Sequence, residues 1–83
     1  MSAPASRSLS LLVEDAPTAL ARITALCARR RFAIEALEVT HAGRPGVHRV
    51  TLTFGAGNRP AARLDAHLDK LVEVLDVTER PAP

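Results

Sequence analysis

Residues 9–23 have the sequence LSLLVEDAPTALARI, and this stretch determines the first half of the fold. Large apolar residues recur at every second position, the pattern of a strand with one buried face: Leu9, Leu11 and Val13. Asp15 then precedes Pro17, which suits the first turn of a helix, so we predict that a helix begins here. The apolar residues that follow have helical spacing: Leu20, Ile23, Leu26 and Cys27.

The next two segments predict a hairpin. Residues 33–41 and 47–54 have strand patterns, and the GRPG sequence between them at 43–46 is a strong turn signal. Ile34 and Leu37 cannot share a face under strict alternation, so we expect a bulge or a twist near Ala36. We therefore predict that these strands pair antiparallel.

A second helix and a fourth strand complete the pattern. The helix is indicated by leucines at helical spacing: Leu64, Leu68 and Leu71. Residues 72–78 are rich in strand-forming residues, and alternation predicts that Leu75 and Val77 face the core while Val74 faces outward. Right-handed crossovers would place both helices on one face of a four-stranded antiparallel sheet. We predict an α+β fold, a ferredoxin-like βαββαβ sandwich.

Length and composition limit the possible domain organisation and functions of the chain. A chain of 83 residues supports one domain, and a domain this small hides only about 60% of its unfolded surface, so partners are expected. We expect the folded unit at residues 8–79, between flexible ends at 1–7 and 80–83 that are rich in small residues and proline. The single cysteine and the lack of a long apolar run indicate a cytoplasmic protein without a membrane segment.

No side-chain pattern predicts catalysis, a cofactor or nucleic-acid binding. The net charge is only +2, and the outward positions of the third strand carry no aromatic residue on which bases would stack. The serines lie in the flexible start and the first strand, so neither a triad nor a dyad is predicted. The run from Arg29 to Arg31 is better explained as a solvated helix end than as a partner contact.

The chain has three histidines, His41, His48 and His67. The first two flank the hairpin turn and could approach each other in space. Neither has a companion cysteine or carboxylate at a spacing typical of metal sites, so from the sequence we assign no metal.

The turn into the first helix is the one place with a built-in capacity to bind a small anion. Unpaired backbone amides and the positive end of the helix dipole favour a carboxylate there. Asp15 lies beside these amides, and its spacing favours the simpler role of a helix cap over a role in binding.

Four segments resemble the ACT domain of acetolactate synthase small subunits. Residues 11–23, LLVEDAPTALARI, resemble the opening of an ACT domain, and residues 29–37, RRRFAIEAL, are similar to the family segment RRGFNIESL. Residues 45–52, PGVHRVTL, resemble its third strand, and residues 68–77, LDKLVEVLDV, resemble its LNKLVDVLKV segment. The matches keep their order and cover nearly all of the expected folded unit.

This resemblance implies a noncatalytic regulatory subunit in branched-chain amino-acid biosynthesis. Family members bind and activate a thiamine-diphosphate-dependent large subunit, and many confer inhibition by valine. They pair as homodimers, joining sheets side by side, and hold the amino-acid effector where the first loop of one chain meets helix 1 and strand 2 of the other. The corresponding positions here are the expected effector site: Asp15, Pro17, Thr18, Ala19, Leu20, Ala33 and Ile34.

Three of these positions depart from the family. Asp15 and Thr18 replace a usual asparagine and glycine, and Ala33 replaces an asparagine. Thr18 adds a side chain where backbone would approach the ligand, and Asp15 adds a charge that repels a carboxylate. We therefore expect a subunit that activates its partner but senses valine weakly or not at all. Arg31 stands where the family often has glycine and raises the cost of a left-handed helix end, so we also expect that turn to differ from the family's.

Two rival hypotheses remain open at this stage. One is a free-standing ACT-type sensor of a different small molecule. The other is nucleic-acid binding through Arg49 and the run from Arg29 to Arg31, which would make retention on DNA or RNA salt-sensitive.

Overall fold

A computed structural model describes residues 7–54 and 64–81 of the chain. Its elements are β1 (Arg7–Glu14), α1 (Ala16–Arg29), β2 (Ile34–His41), β3 (Val47–Phe54), α2 (Leu64–Asp69) and β4 (Val74–Pro81). The four strands form one sheet in the order β2-β3-β1-β4, and every neighbouring pair is antiparallel. This order confirms the predicted ferredoxin-like βαββαβ fold.

One face of β1 anchors the core. Its alternate residues Leu9, Leu11 and Val13 are buried in a single cluster with residues of both helices. The helical members of this cluster are Ala19, Ile23, Leu26 and Cys27 of α1 and Leu64 and Leu68 of α2. Both helices therefore cover the same face of the sheet. Burial raises the pKa of the Cys27 thiol, which keeps it protonated as a core side chain.

The sheet extends past the expected folded unit of residues 8–79. Arg7 belongs to β1 and pairs with Phe54 and Pro81, so the sheet begins one residue earlier and ends two residues later. Arg7 also forms an ion pair with Glu79 across β1 and β4. The rest of the predicted flexible ends, residues 1–6 and 82–83, lies outside the described residues, as does the predicted loop at 55–60.

The predicted faces of β4 are wrong at its start. A register shift follows Leu12 of β1, so Leu12 pairs with Asp76 but Val13 pairs with Val74, and Leu75 is the extra residue of a bulge. Val74 therefore turns into the core at 7% exposure, whereas Leu75 is 42% exposed. Val77 packs against the core as predicted.

The predicted bulge of β2 is confirmed. Ile34 pairs with Phe54 and Ala36 with Thr53, which leaves Glu35 as the extra residue. β2 lies at the edge of the sheet, while α1 packs against β1 and α2 against β4. Two apolar side chains on the helix-covered face of this edge therefore remain open to solvent: Leu37 and Val39.

The end of α1 is left-handed, despite the cost that this backbone carries for a residue other than glycine. Arg31 has φ 61°. Its N–H donates to Ala28 O at 3.1 Å, and the Phe32 N–H donates to Cys27 O at 2.9 Å. These are the two bonds of a Schellman motif. The next side chain, Phe32, packs on the core edge-to-face against Phe54, with ring centroids 5.9 Å apart.

Candidate functional site

The head of α1 is formed by Asp15 and the first helical turn. Asp15 occupies the N-cap position with left-handed backbone, φ 50° and ψ 65°, but its carboxylate makes no capping hydrogen bond. The predicted role of this side chain as a cap is therefore wrong. Aspartate tolerates left-handed backbone better than most residues, which explains how the turn forms without glycine.

The backbone of this turn presents hydrogen-bond donors. Intrahelical bonding begins with Ala19 N–H, which donates to Asp15 O at 2.9 Å. The amides of Ala16 and Thr18 precede that bond, and Pro17 has no N–H to donate. The first turn contains no acidic side chain, so the positive end of the dipole is not compensated from within the helix. This arrangement suits a small carboxylate.

The residues of the expected effector site differ in accessibility. Pro17 is exposed, and the side chains of Thr18 and Leu20 are half-buried at the head of α1. Ala19 is completely buried and its N–H is already used, so it supports the turn from below. Whether an effector binds these residues stays a prediction.

Ala33 and Ile34 lie far from the other residues of the expected site. Ile34 begins β2 and pairs with Phe54, whereas the head of α1 follows Glu14, which pairs with Val47. Val47 and Phe54 are the two ends of β3, about 23 Å apart at 3.3 Å per residue. A single chain therefore does not bring the two parts of the expected site together.

Two histidines lie at the same end of the sheet as the head of α1. His41 and His48 are directly opposite each other on β2 and β3, with ring centroids 4.9 Å apart and planes tilted by 34°. His48 also pairs with the core residue Val13, which places both rings on the helix-covered face. Within the described part of the chain, His48 Nδ1 is buried and has no hydrogen-bond partner. The predicted approach of these histidines is confirmed.

Glu73 lies beside the head of α1 and was not found from the sequence. Its carbonyl accepts a hydrogen bond from Glu14 N–H at 2.8 Å, so the turn before β4 is fastened to the end of β1. Its side chain is 14% exposed, and Oε1 lies 3.4 Å from Nε of Arg22 on α1. Because these contacts join residues far apart in sequence, no local pattern indicates them.

The run of three arginines lies at the other end of α1. All three are exposed, which agrees with the predicted solvated helix end. Arg30 Nη2 lies 3.4 Å from His67 Nδ1, so this arginine also links the end of α1 to α2. The run is therefore remote from the head of α1, although it directly precedes Phe32, Ala33 and Ile34, of which the last two belong to the expected effector site.

The cysteine and the three histidines of the chain all lie within residues 7–54 and 64–81. No group of three or more histidine, cysteine or carboxylate side chains gathers there in a way that could hold a metal ion. In the same ranges, no helix has the length and apolar character needed to cross a membrane.

Comparisons with known proteins identify the family. Residues 9–76 match the model of the AHAS small subunit-like ACT domain. The chain is 38% identical over 77 residues to the acetolactate synthase small subunit of Mycobacterium bovis and 39% identical over 77 residues to that of Mycobacterium leprae. Each alignment covers 93% of this chain and 46% of the relative, so the chain spans about half the length of these relatives.

Similarity extends to a plant protein and to a solved structure. The chain is 38% identical over 79 residues to the chloroplastic acetolactate synthase small subunit 1 of Nicotiana plumbaginifolia, covering 92% of this chain and 18% of that protein. The C-terminal domain of the MgtC protein from Mycobacterium tuberculosis superimposes with a TM-score of 0.72 at 15% identity, covering 99% and 92% of the two chains. This second likeness shows the fold alone.

Proposed function

The chain belongs to the AHAS small subunit-like ACT domain family, AHAS being acetohydroxyacid synthase, and from this we propose that it is a noncatalytic regulatory subunit of acetolactate synthase. It docks on the thiamine-diphosphate-dependent large subunit in the cytoplasm and raises the activity of that subunit. It senses valine weakly or not at all. The observation that carries the proposal is the family match, which runs from the core of β1 into β4.

A homodimer is part of this proposal, and the exposed edge of β2 supports it. An unpaired edge strand presents N–H and C=O groups to a further strand. On this edge Leu37 is 41% and Val39 37% exposed, so pairing would bury apolar surface as well as satisfy backbone groups. A second copy related by a two-fold axis would add its own β2 here, extending the sheet across both chains.

The same dimer would assemble the expected effector site. Two antiparallel copies of β2 place the start of one strand beside the end of the other. The partner's residues at 33 and 34 would then lie at the same end of the joined sheet as the head of α1 in this chain, which removes the separation of about 23 Å along the strands. An effector would lie between two chains, and its binding would depend on dimerisation.

Weak valine sensing follows from the charge at the head of α1. The Asp15 carboxylate is not engaged in capping, so its negative charge remains close to the amides of Ala16 and Thr18. A ligand carboxylate on those amides would be repelled by Asp15. Pro17 offers no additional donor, and Ala33 has no side chain able to form a hydrogen bond. These features retain the helix dipole but weaken the recognition of an α-amino acid.

Reconstitution tests the function. The full chain is mixed with the acetolactate synthase large subunit of its own organism, and acetolactate formation is measured with and without valine. We expect activity to rise and saturate as the chain is added, with little inhibition by valine. Affinity capture with the tagged chain should recover the large subunit.

A matched control separates specific activation from general stabilisation of the enzyme. Leu11→Asp places an unpaired charge in the core and should remove activation together with the fold. Unchanged turnover and no recovery of the large subunit with the wild-type chain would disprove docking. Calorimetry with a panel of small amino acids would then test the free-standing sensor.

A further inference from the structure

His41 and His48 form the last side-chain pair of the β2–β3 hairpin. The next pair outward is joined by a hydrogen bond from Ala42 N–H to Val47 O at 3.1 Å. Because hydrogen-bonded and non-bonded pairs alternate in antiparallel strands, His41 and His48 occupy a non-hydrogen-bonded pair. Side chains approach most closely at such pairs, so the backbone itself brings the two imidazoles together.

The spacing of the rings suits a shared ion. Imidazole nitrogen binds zinc at about 2.0–2.1 Å, so two rings on one ion at a near-tetrahedral angle have centres about 5 Å apart. The centroids of His41 and His48 are 4.9 Å apart. This spacing is compatible with one nitrogen of each ring sharing an ion once the rings turn about their χ angles from the present tilt of 34°.

A second observation is independent of this spacing. His48 Nδ1 is buried and has no hydrogen-bond partner among the described residues. Buried polar atoms are normally paired, and an orphaned one commonly marks a place for an ion, a water or a ligand. An ion could bind His48 through Nδ1 itself, which would give this atom a partner. It could also bind through Nε2, in which case Nδ1 would form a hydrogen bond with a water.

We propose that His41 and His48 bind one divalent transition-metal ion of the zinc, nickel and copper class at the end of the hairpin. Imidazole is a preferred ligand of these ions, whereas magnesium and calcium prefer oxygen. Two protein ligands leave the other coordination positions to water or to a small ligand with oxygen or nitrogen donors. The site lies at the same end of the sheet as the head of α1, but it does not depend on effector binding or on the large subunit.

Metal titration of the untagged full chain tests the site, because a polyhistidine tag would itself bind these ions. Calorimetry with Zn²⁺ and Ni²⁺ should give one ion per chain. Electron paramagnetic resonance with Cu²⁺ should show coupling to two imidazole nitrogens. His41→Gln and His48→Gln should each weaken binding at least about tenfold, since even residues that only orient metal ligands contribute at this level. His67→Gln on α2 is the matched control and should bind as the wild type does.

Three outcomes would overturn the proposal. They are binding by His41→Gln equal to that of wild type, loss of binding in His67→Gln, and no stoichiometric binding by the wild-type chain. His41 is exposed, so its variant is expected to keep the fold even if His48→Gln does not, and circular dichroism checks both. Reconstitution with the large subunit is a separate measurement, so failure of the metal site and failure of the regulatory role are distinguishable.

Discussion

Asp15 and Arg31 carry left-handed backbone at the two ends of α1, with φ 50° and 61°. At Asp15 the conformation is tolerated because a short polar side chain visits this region more readily than others do. Arg31 has no such advantage. Its turn is held by the Schellman hydrogen bonds and by packing of Phe32 on the core, so tertiary structure imposes a strained residue.

Replacing Arg31 with glycine should therefore stabilise the protein. Left-handed backbone costs an ordinary residue about 1–2 kcal/mol, and part of the gain is lost to the greater freedom of glycine in the unfolded chain. We expect Arg31→Gly to raise the free energy of unfolding by about 0.5–1 kcal/mol in urea titrations. Arg30→Gly removes the same charge at φ −96° and should lower stability. Equal losses in both variants would contradict the strain at Arg31.

Two substitutions at the head of α1 should restore valine binding. Asp15→Asn removes the repulsive charge, and Thr18→Gly removes a half-buried side chain beside the amides. We expect the double variant to gain about 1 kcal/mol or more in valine binding, a Kd lower by about fivefold or more, in calorimetry.

Glu14→Gln is the control for Asp15. It removes a neighbouring carboxylate, but Glu14 alternates with the core residue Val13 and so belongs to the outer face of the sheet. If it improved valine binding as much as the double variant does, the effect would reflect net charge and not the head of α1.

At the scale of elements, the sequence predicted best those features of the strands that change the local apolar pattern. The bulge in β2 was predictable because Ile34 and Leu37 break the alternation. The bulge in β4 was not, since residues 74–77 alternate without a break and the shift arises only in pairing with β1. The start of α1 at Asp15 was predictable, because Pro17 and the helical spacing after it are local signals. The position of Glu73 was not, because Glu73 reaches the head of α1 through a hydrogen bond from Glu14, which is distant in sequence.

The bulge in β4 reverses which of two neighbouring side chains is expected to contribute more to stability. Val74 is 7% exposed within the core and Leu75 is 42% exposed. We expect Val74→Ala to lower the free energy of unfolding by about 1.5–3 kcal/mol, and Leu75→Ala by less than about 1 kcal/mol although it removes more atoms. Chemical denaturation of both variants measures this. A larger loss at Leu75 would show that β4 follows the unbroken alternation.

At the scale of the whole molecule, the two edges of the sheet differ. On the β2 edge, Leu37 and Val39 lie on adjacent positions of one face. Val72 lies in the turn before β4, the strand at the other edge of the sheet, and is 84% exposed. Both places expose apolar surface, and β2 and β4 are both outer strands, but Ile34 of the expected effector site lies on β2. Pairing through β2 is therefore the arrangement that would bring the partner's Ile34 to the end of the sheet where the head of α1 lies.

Replacing one valine with lysine at each place distinguishes the β2 edge from the turn before β4 as the dimer interface. Lysine is a residue that natural edge strands use to prevent pairing, so Val39→Lys should shift the protein to monomer in sedimentation velocity at several chain concentrations. Val72→Lys makes the same chemical change at a more exposed valine and should leave the dimer intact. Dissociation by Val72→Lys alone would place the interface on the β4 side.

The same pair of variants tests whether dimerisation creates the effector site. Because the head of α1 and the start of β2 are about 23 Å apart in one chain, a monomer has only half of the predicted site. Val39→Lys added to the Asp15→Asn, Thr18→Gly background should therefore abolish the restored valine binding, whereas Val72→Lys should preserve it. Valine binding by a monomeric Val39→Lys variant would mean that the head of α1 is sufficient for recognition, and that Ala33 and Ile34 do not belong to the site.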